Sequence, residues 1–203
     1  AYYLLGNLLY DNRPEDAMAA WEKASTSDSN MPMVWRNLAF GAFYHENNND
    51  KAIAYLRNAM EEETDMSLWY AELAKYYELS NANFTESLAI LRNNVDAVKQ
   101  DVSAPKALVA LYNLNGEYDE AIQFLDTHHF RTWEGGREIY WHYVDAHTLK
   151  AVELMKAKEY ESAIIHLDSA LLYPENLEVG QASDGEKNAL IYYFMGEVYD
   201  KMG

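Results

Sequence analysis

The sequence predicts an all-α chain of stacked helix hairpins, and three observations carry the prediction. Residues 108–125, LVALYNLNGEYDEAIQFL, hold two helical patterns around a tight break: Leu108 and Tyr112 stand four apart, Gly116 and Tyr118 mark the turn, and Ala121 and Leu125 restart the stripe. A small residue with a large one four further on recurs as Ala17 with Trp21, Ala52 with Leu56, Ser87 with Leu91, Ala121 with Leu125 and Ala163 with Leu167, at intervals of 35, 35, 34 and 42 residues. The first helix of each pair repeats as well, with Gly6, Ala39, Ala74, Val109, Ala151 and Gly196 at its small position and Tyr2, Trp35, Tyr70, Pro105, His147 and Tyr192 four residues earlier. Small residues admit a neighbouring helix while bulky ones fill the groove beside it. A lone hairpin cannot bury both of its apolar faces, so such units stack, and residues 1–203 read as one quasi-continuous domain.

In order, the units span about 1–30, 31–65, 66–101, 102–137 and 138–176, with a partial sixth over 186–203. The first turns at Asp11-Asn12-Arg13-Pro14, where Pro14 suits a first helical turn, and residues 25–30 link it to Pro32. In the second, the polar run from His45 to Asp50 supplies Asn and Asp to cap residues 51–60, and Glu61-Glu62-Glu63 forms a solvated tail. The third turns over residues 80–83 with Thr85 as its expected cap. The fourth opens at Pro105 and turns at Gly116; the fifth turns at Lys158 and Tyr160. The last helix carries Leu190, Ile191, Tyr192, Tyr193, Phe194, Met195, Val198, Tyr199 and Met202 on more than one face. Either the second helix of a sixth repeat, with Gly203 as its turn, or a two-fold homodimer through residues 190–199 is expected to cover that surplus, leaving Tyr193, Phe194 or Met195 partly exposed in an isolated copy.

The period near 34 and this alternation of aromatic, small and apolar residues resemble the tetratricopeptide repeat (TPR) over nearly all of the chain. The resemblance implies a right-handed α-α superhelix, a TPR solenoid of five helix hairpins plus a final single helix. The pattern departs at Ser87, Asn94, Pro105 and His128, which places units three and four least firmly in register. It also implies a binding groove lined by the first helices, with candidates Tyr3, Asn7 and Tyr10 in unit one, Arg36, Asn37, Phe40 and Tyr44 in unit two, and Glu72 and Lys75 in unit three. Arg36-Asn37 looks like part of the carboxylate clamp some members use for peptide C-termini, but its neighbouring basic partners are missing. For any single tyrosine of the 17, packing between repeats is the competing reading. More narrowly, the segments at 2–24, 34–40, 130–136 and 173–177 resemble the C-terminal part of bacterial proteins in which a β-sandwich domain of uncertain, carbohydrate-related role precedes such repeats.

Composition removes whole classes of function. The net charge of −17 opposes a phosphate backbone or an anionic membrane surface, so neither nucleic acid nor membrane insertion is expected. No apolar run approaches a transmembrane length. Zero cysteines exclude disulfides and thiolate chemistry and leave cytoplasm and periplasm equally open. His142 and His147 lie five apart, which diverges around a helix, and no HExxH, EF-hand or phosphate-cradling loop occurs, so neither a metal nor a cofactor is expected.

Two connections are too long for the period. The first-helix small position steps by 33, 35 and 35, then by 42 and 45, which puts extra residues in 126–138 and 173–186 on one edge of the stack. The first holds His128, His129, Phe130, Arg131, Trp133, Glu134 and Gly135-Gly136; the second holds Glu175, Asn176 and Glu178. His129, Arg131, Trp133, Glu134, Glu175 and Asn176 suit a polar ligand with an apolar face, such as a sugar or a peptide. Alternatively, Phe130 and Trp133 fold back as a plug. With no acid–base set, the expected function is a non-catalytic scaffold for a protein, a peptide or another domain of the same chain; the alternative is an accessory carbohydrate module using the two loops.

Overall fold

The computed structural model describes residues 1–27, 31–63, 66–79, 84–131, 137–179 and 185–203, with side chains for all of these except 185–187. Two compact units divide the chain, Ala1–Ala104 and Pro105–Gly203. The first contains α1 (Tyr2–Leu9), α2 (Pro14–Ser27), α3 (Pro32–Tyr44), α4 (Asn49–Glu62), α5 (Ser67–Leu79), α6 (Phe84–Asn93) and α7 (Val95–Val98). The second contains α8 (Ala104–Leu114), whose first residue falls in the first unit, then α9 (Tyr118–Thr127), α10 (Glu138–Ala157), α11 (Tyr160–Ala170), a 3-10 turn (Glu175–Leu177) and α12 (Gly185–Met202). Five hairpins and a last single helix account for every α-helix but α7, and the described residues contain no strand.

Local chemistry explains the boundaries. Pro14 and Pro32 open α2 and α3, where a missing N–H leaves no bond unmade. Asn48 caps α4, its Oδ1 accepting from Lys51 N at 3.0 Å. Gly116 takes φ +77° to turn from α8 into α9, and Lys158 adopts the same left-handed region at φ +65° after α10. α6 begins at Phe84, so Thr85 sits inside the first turn and is not the cap. The short α7 follows from Asn94: its Nδ2 donates back to Ile90 O at 2.8 Å, ending α6 where the repeat pattern has a closing alanine.

Ala17, Ala52, Ala121 and Ala163 are completely buried, as are Leu56, Leu91, Leu125 and Leu167 or nearly so. A Cβ added at Gly6 would overlap the Trp21 indole. In the first hairpin the small position is thus a seat for an aromatic ring. Ala121→Leu should overpack the fully buried site it occupies on α9 and cost about 1–3 kcal/mol, read as a lowered urea midpoint; an unchanged midpoint would show that no neighbour crowds that position.

Candidate functional site

On one face of the first unit, eight of the nine groove candidates, all but Tyr3, make polar or ring contacts with one another. The Trp21 indole N–H donates to Asn7 Oδ1 at 3.0 Å, and the same oxygen accepts from Asn37 Nδ2 at 2.8 Å. A core residue of α2 therefore fixes an amide on α1, which fixes an amide on α3. Next to this pair, Tyr10 meets Phe40 edge-on at 5.6 Å between centroids, and Phe40 meets Tyr44 at 4.4 Å. The Arg36 guanidinium lies over Phe40 at 5.1 Å and holds both Glu72 carboxylate oxygens, with Nε at 3.0 and 3.1 Å. Lys75 Nζ donates to Tyr44 OH at 2.6 Å and stands 5.1 Å from that ring's centroid. Tyr3 is half-buried, packed against the core cluster that α2 and α3 form. Side chains from α1, α3 and α5 thus form a continuous ladder of two amides, three aromatic rings and two cations.

Electrostatics on this face are largely settled internally. Burial opposes the Arg36 charge, but the hydrogen bonds and charge of Glu72 outweigh it and hold its pKa above the ordinary value. Beneath the pair, Tyr76 is buried with its hydroxyl unpartnered; burial first, then the Glu72 carboxylate, pushes its phenol up so that it stays neutral. The Arg36-Asn37 pair consequently does not form an open carboxylate clamp, since Glu72 of the next repeat occupies the guanidinium. The missing signal was in the spacing: Glu72 follows Arg36 by 36 residues, one more than the 35-residue repeat step, on the next first helix.

The two long connections meet within the second unit. Asn176 Nδ2 donates to Leu125 O at 2.6 Å and His128 O at 2.9 Å, while Phe130 N donates to Asn176 O at 2.9 Å. Phe130 is buried against Phe124 and His128, Leu177 is buried as well, and Tyr173 stacks on Tyr140 at 4.4 Å. His129 Nε2 lies 2.7 Å from Glu178 Oε1 at the surface. Arg131 and Glu175 are exposed. Trp133 and Glu134, with the glycine pair after them, lie outside the described residues. Of the loop candidates that are described, Asn176 ties backbone to backbone and His129 pairs with an acid.

A polar pair not foreseen from the sequence sits in the core of the second unit. His147 on α10 and His166 on α11 approach at 3.1 Å between Nδ1 atoms, one donating to the other. His147 also meets Tyr143 edge-on, and its Nε2 is buried without a partner. Burial first, then His166, pushes the His147 pKa down to about 4; His166 is lowered by burial and then by Lys150, which itself bonds Asp119 and Glu153. The described residues contain no group of three or more His, Cys, Asp or Glu placed to hold a metal ion.

No family model matches the sequence. Among solved structures, the chain is similar to YrrB, described as a TPR protein with an unusual peptide-binding site, at a TM-score of 0.60 and 17% identity over 95% of this chain and 90% of that one. A MamA structure gives a TM-score of 0.56 at 15% identity over 89% and 96% of the two chains. MamA from Desulfovibrio magneticus RS-1 gives 0.52 at 13% identity over 90% and 96%. The fold is that of a TPR solenoid, and at these identities the likeness is one of fold.

The histidine pair makes stability pH-dependent with a definite sign. His147 titrates near 6.5 when unfolded and near 4 when folded, so between these values the unfolded chain binds more protons and stability falls as pH falls. Lowering the pH from 7.5 to 5.5 should cost about 1 kcal/mol in urea unfolding through His147. His147→Leu should flatten that difference; an undiminished slope in the variant would assign it to other groups.

Proposed function

We propose that the chain is a non-catalytic binding scaffold that presents the α1, α3 and α5 face of its first unit to a protein or peptide. The observation that carries this reading is the preassembled ladder running from Asn7 through Phe40 to Lys75. Its side chains are held by one another, so a partner meets groups already oriented and less rotamer entropy is lost on binding. Tyr44 remains about half exposed although it accepts from Lys75, leaving aromatic surface at the centre of the face. Aromatic anchors of this kind dominate the energetics of protein interfaces. The net charge of −17 favours encounter with a basic partner. The carbohydrate alternative has less to draw on, because His129 and Asn176 are engaged within the protein.

A peptide-display selection against the chain tests the reading. Selected peptides should bind Phe40→Ala and Tyr44→Ala proteins roughly tenfold or more weakly, a loss of about 1.4 kcal/mol, with the helical circular-dichroism signal unchanged. Peptides that bind all three proteins equally would place recognition elsewhere.

A further inference from the structure

The turn between α8 and α9 is held by its own amides. Leu111 O accepts twice from Asn115, from the backbone N at 3.0 Å and from the side-chain Nδ2 at 2.8 Å. Gly116 N donates to Asn113 O at 3.2 Å and Glu117 N to Tyr112 O at 2.9 Å, so carbonyls that α8 leaves open at its end are closed by the residues that follow it. Gly116 carries the turn at φ +77°; it is exposed, and a Cβ built on it would meet nothing within 4 Å. Asn115-Gly116 is the one Asn-Gly pair in the sequence.

We propose that Asn115 is a site of spontaneous covalent modification, deamidation through the Gly116 nitrogen. When the turn opens, the Gly116 amide gives its proton to water or hydroxide and its nitrogen attacks Asn115 Cγ. The new C–N bond closes a cyclic imide, the Cγ–Nδ2 bond breaks, and ammonia leaves. Water then adds to one imide carbonyl and breaks its bond to the nitrogen. Residue 115 becomes aspartate or, where the main chain is rerouted through the side-chain carbonyl, isoaspartate. Water is the only co-reactant, and no electron changes hands. Glycine suits the attack because it sets no side chain beside its nitrogen and moves freely between backbone conformations. In the folded turn both reacting groups are engaged, Nδ2 with Leu111 O and the Gly116 N–H with Asn113 O, so ring closure waits on a local opening. The Gly116 bond is the longer of the two and lies at the far end of the usual range.

The product reverses the chemistry at the end of α8. A carboxylate oxygen in place of Nδ2 meets the Leu111 carbonyl as acceptor against acceptor, and a bond becomes a repulsion. Its charge falls at a helix C-terminus, where the dipole disfavours an anion, and just ahead of Asp119 and Glu120 in the first turn of α9. Isoaspartate in addition lengthens the main chain within the turn. The reaction thus marks the chain irreversibly and loosens the α8–α9 connection.

The test incubates the whole chain at mildly alkaline pH, folded in buffer and unfolded in guanidinium chloride, and follows its asparagines by peptide mass spectrometry. In the unfolded chain Asn115 should be the first asparagine to gain the mass difference between an amide and a carboxyl group. In the folded chain the same change should be about tenfold slower or more, since it proceeds only from the opened turn. Asn115→Gln, whose extra methylene disfavours the ring, should keep the helical circular-dichroism signal and lose the reaction. Asn115→Asp, which carries the product from the start, should fold but unfold at a lower urea concentration. Amide loss that starts at another asparagine, or that runs equally fast in the folded and unfolded chain, overturns the proposal. An Asn115→Asp midpoint equal to that of the unmodified chain overturns the link to the end of α8.

Discussion

The close approach of two helices at a residue without a side chain is the constraint on which the first unit depends. Gly6 lets the Trp21 ring lie flush against α1, and that position brings the indole N–H within reach of Asn7. Asn7 Oδ1 then has a second lone pair for Asn37, so the packing of one hairpin fixes the first polar rung of the exposed face. Core and surface are not separate layers here. A larger residue at position 6 would move Trp21, and the amide register between α1 and α3 would move with it.

Charge on the same face follows a different logic. Arg36 is drawn out of water by its neighbours, a cost offset only because Glu72 accepts two-pronged from the guanidinium. Once that pair forms, the strongest cation of the face is unavailable to an incoming carboxylate. Lys75, which leans on Tyr44 and Phe43, keeps an exposed charge at the rim. Aromatic area and amide geometry are therefore what the face offers, and the internal ion pair works chiefly to hold α3 and α5 in place.

How much of this was legible in the sequence depends on the range of the interaction. The hairpins could be read because the small and large pairs from Ala17 and Trp21 to Ala163 and Leu167 repeat a contact whose two partners are four residues apart. The helix α7 could not, because it arises from one asparagine bonding back to Ile90. The groove residues were found by their place in the repeat, but whether Arg36 was open or occupied turned on Glu72, on another helix. The buried His147 was read as a repeat position and, for its imidazole, against His142 on its own helix, whereas its partner His166 lies across the hairpin. Side-chain pairing between elements is decided by packing, which a one-dimensional period records only when the partners repeat with it.

The long connections make the same point about inserted residues. An insertion that leaves the repeat period must place its backbone polar groups somewhere, and a surface loop ordinarily gives them to water. Here they are given to each other: the Asn176 amide closes the carbonyls of Leu125 and His128 at the end of α9, and Phe130 N returns the bond. With those bonds made, Phe130 and Leu177 can be buried at little polar cost, and Tyr173 can stack on α10. The described parts of the two insertions thus brace the edge of the second unit. Excess length marks where a solenoid departs from its period; the destination of the loop's own hydrogen bonds separates a brace from a ligand site.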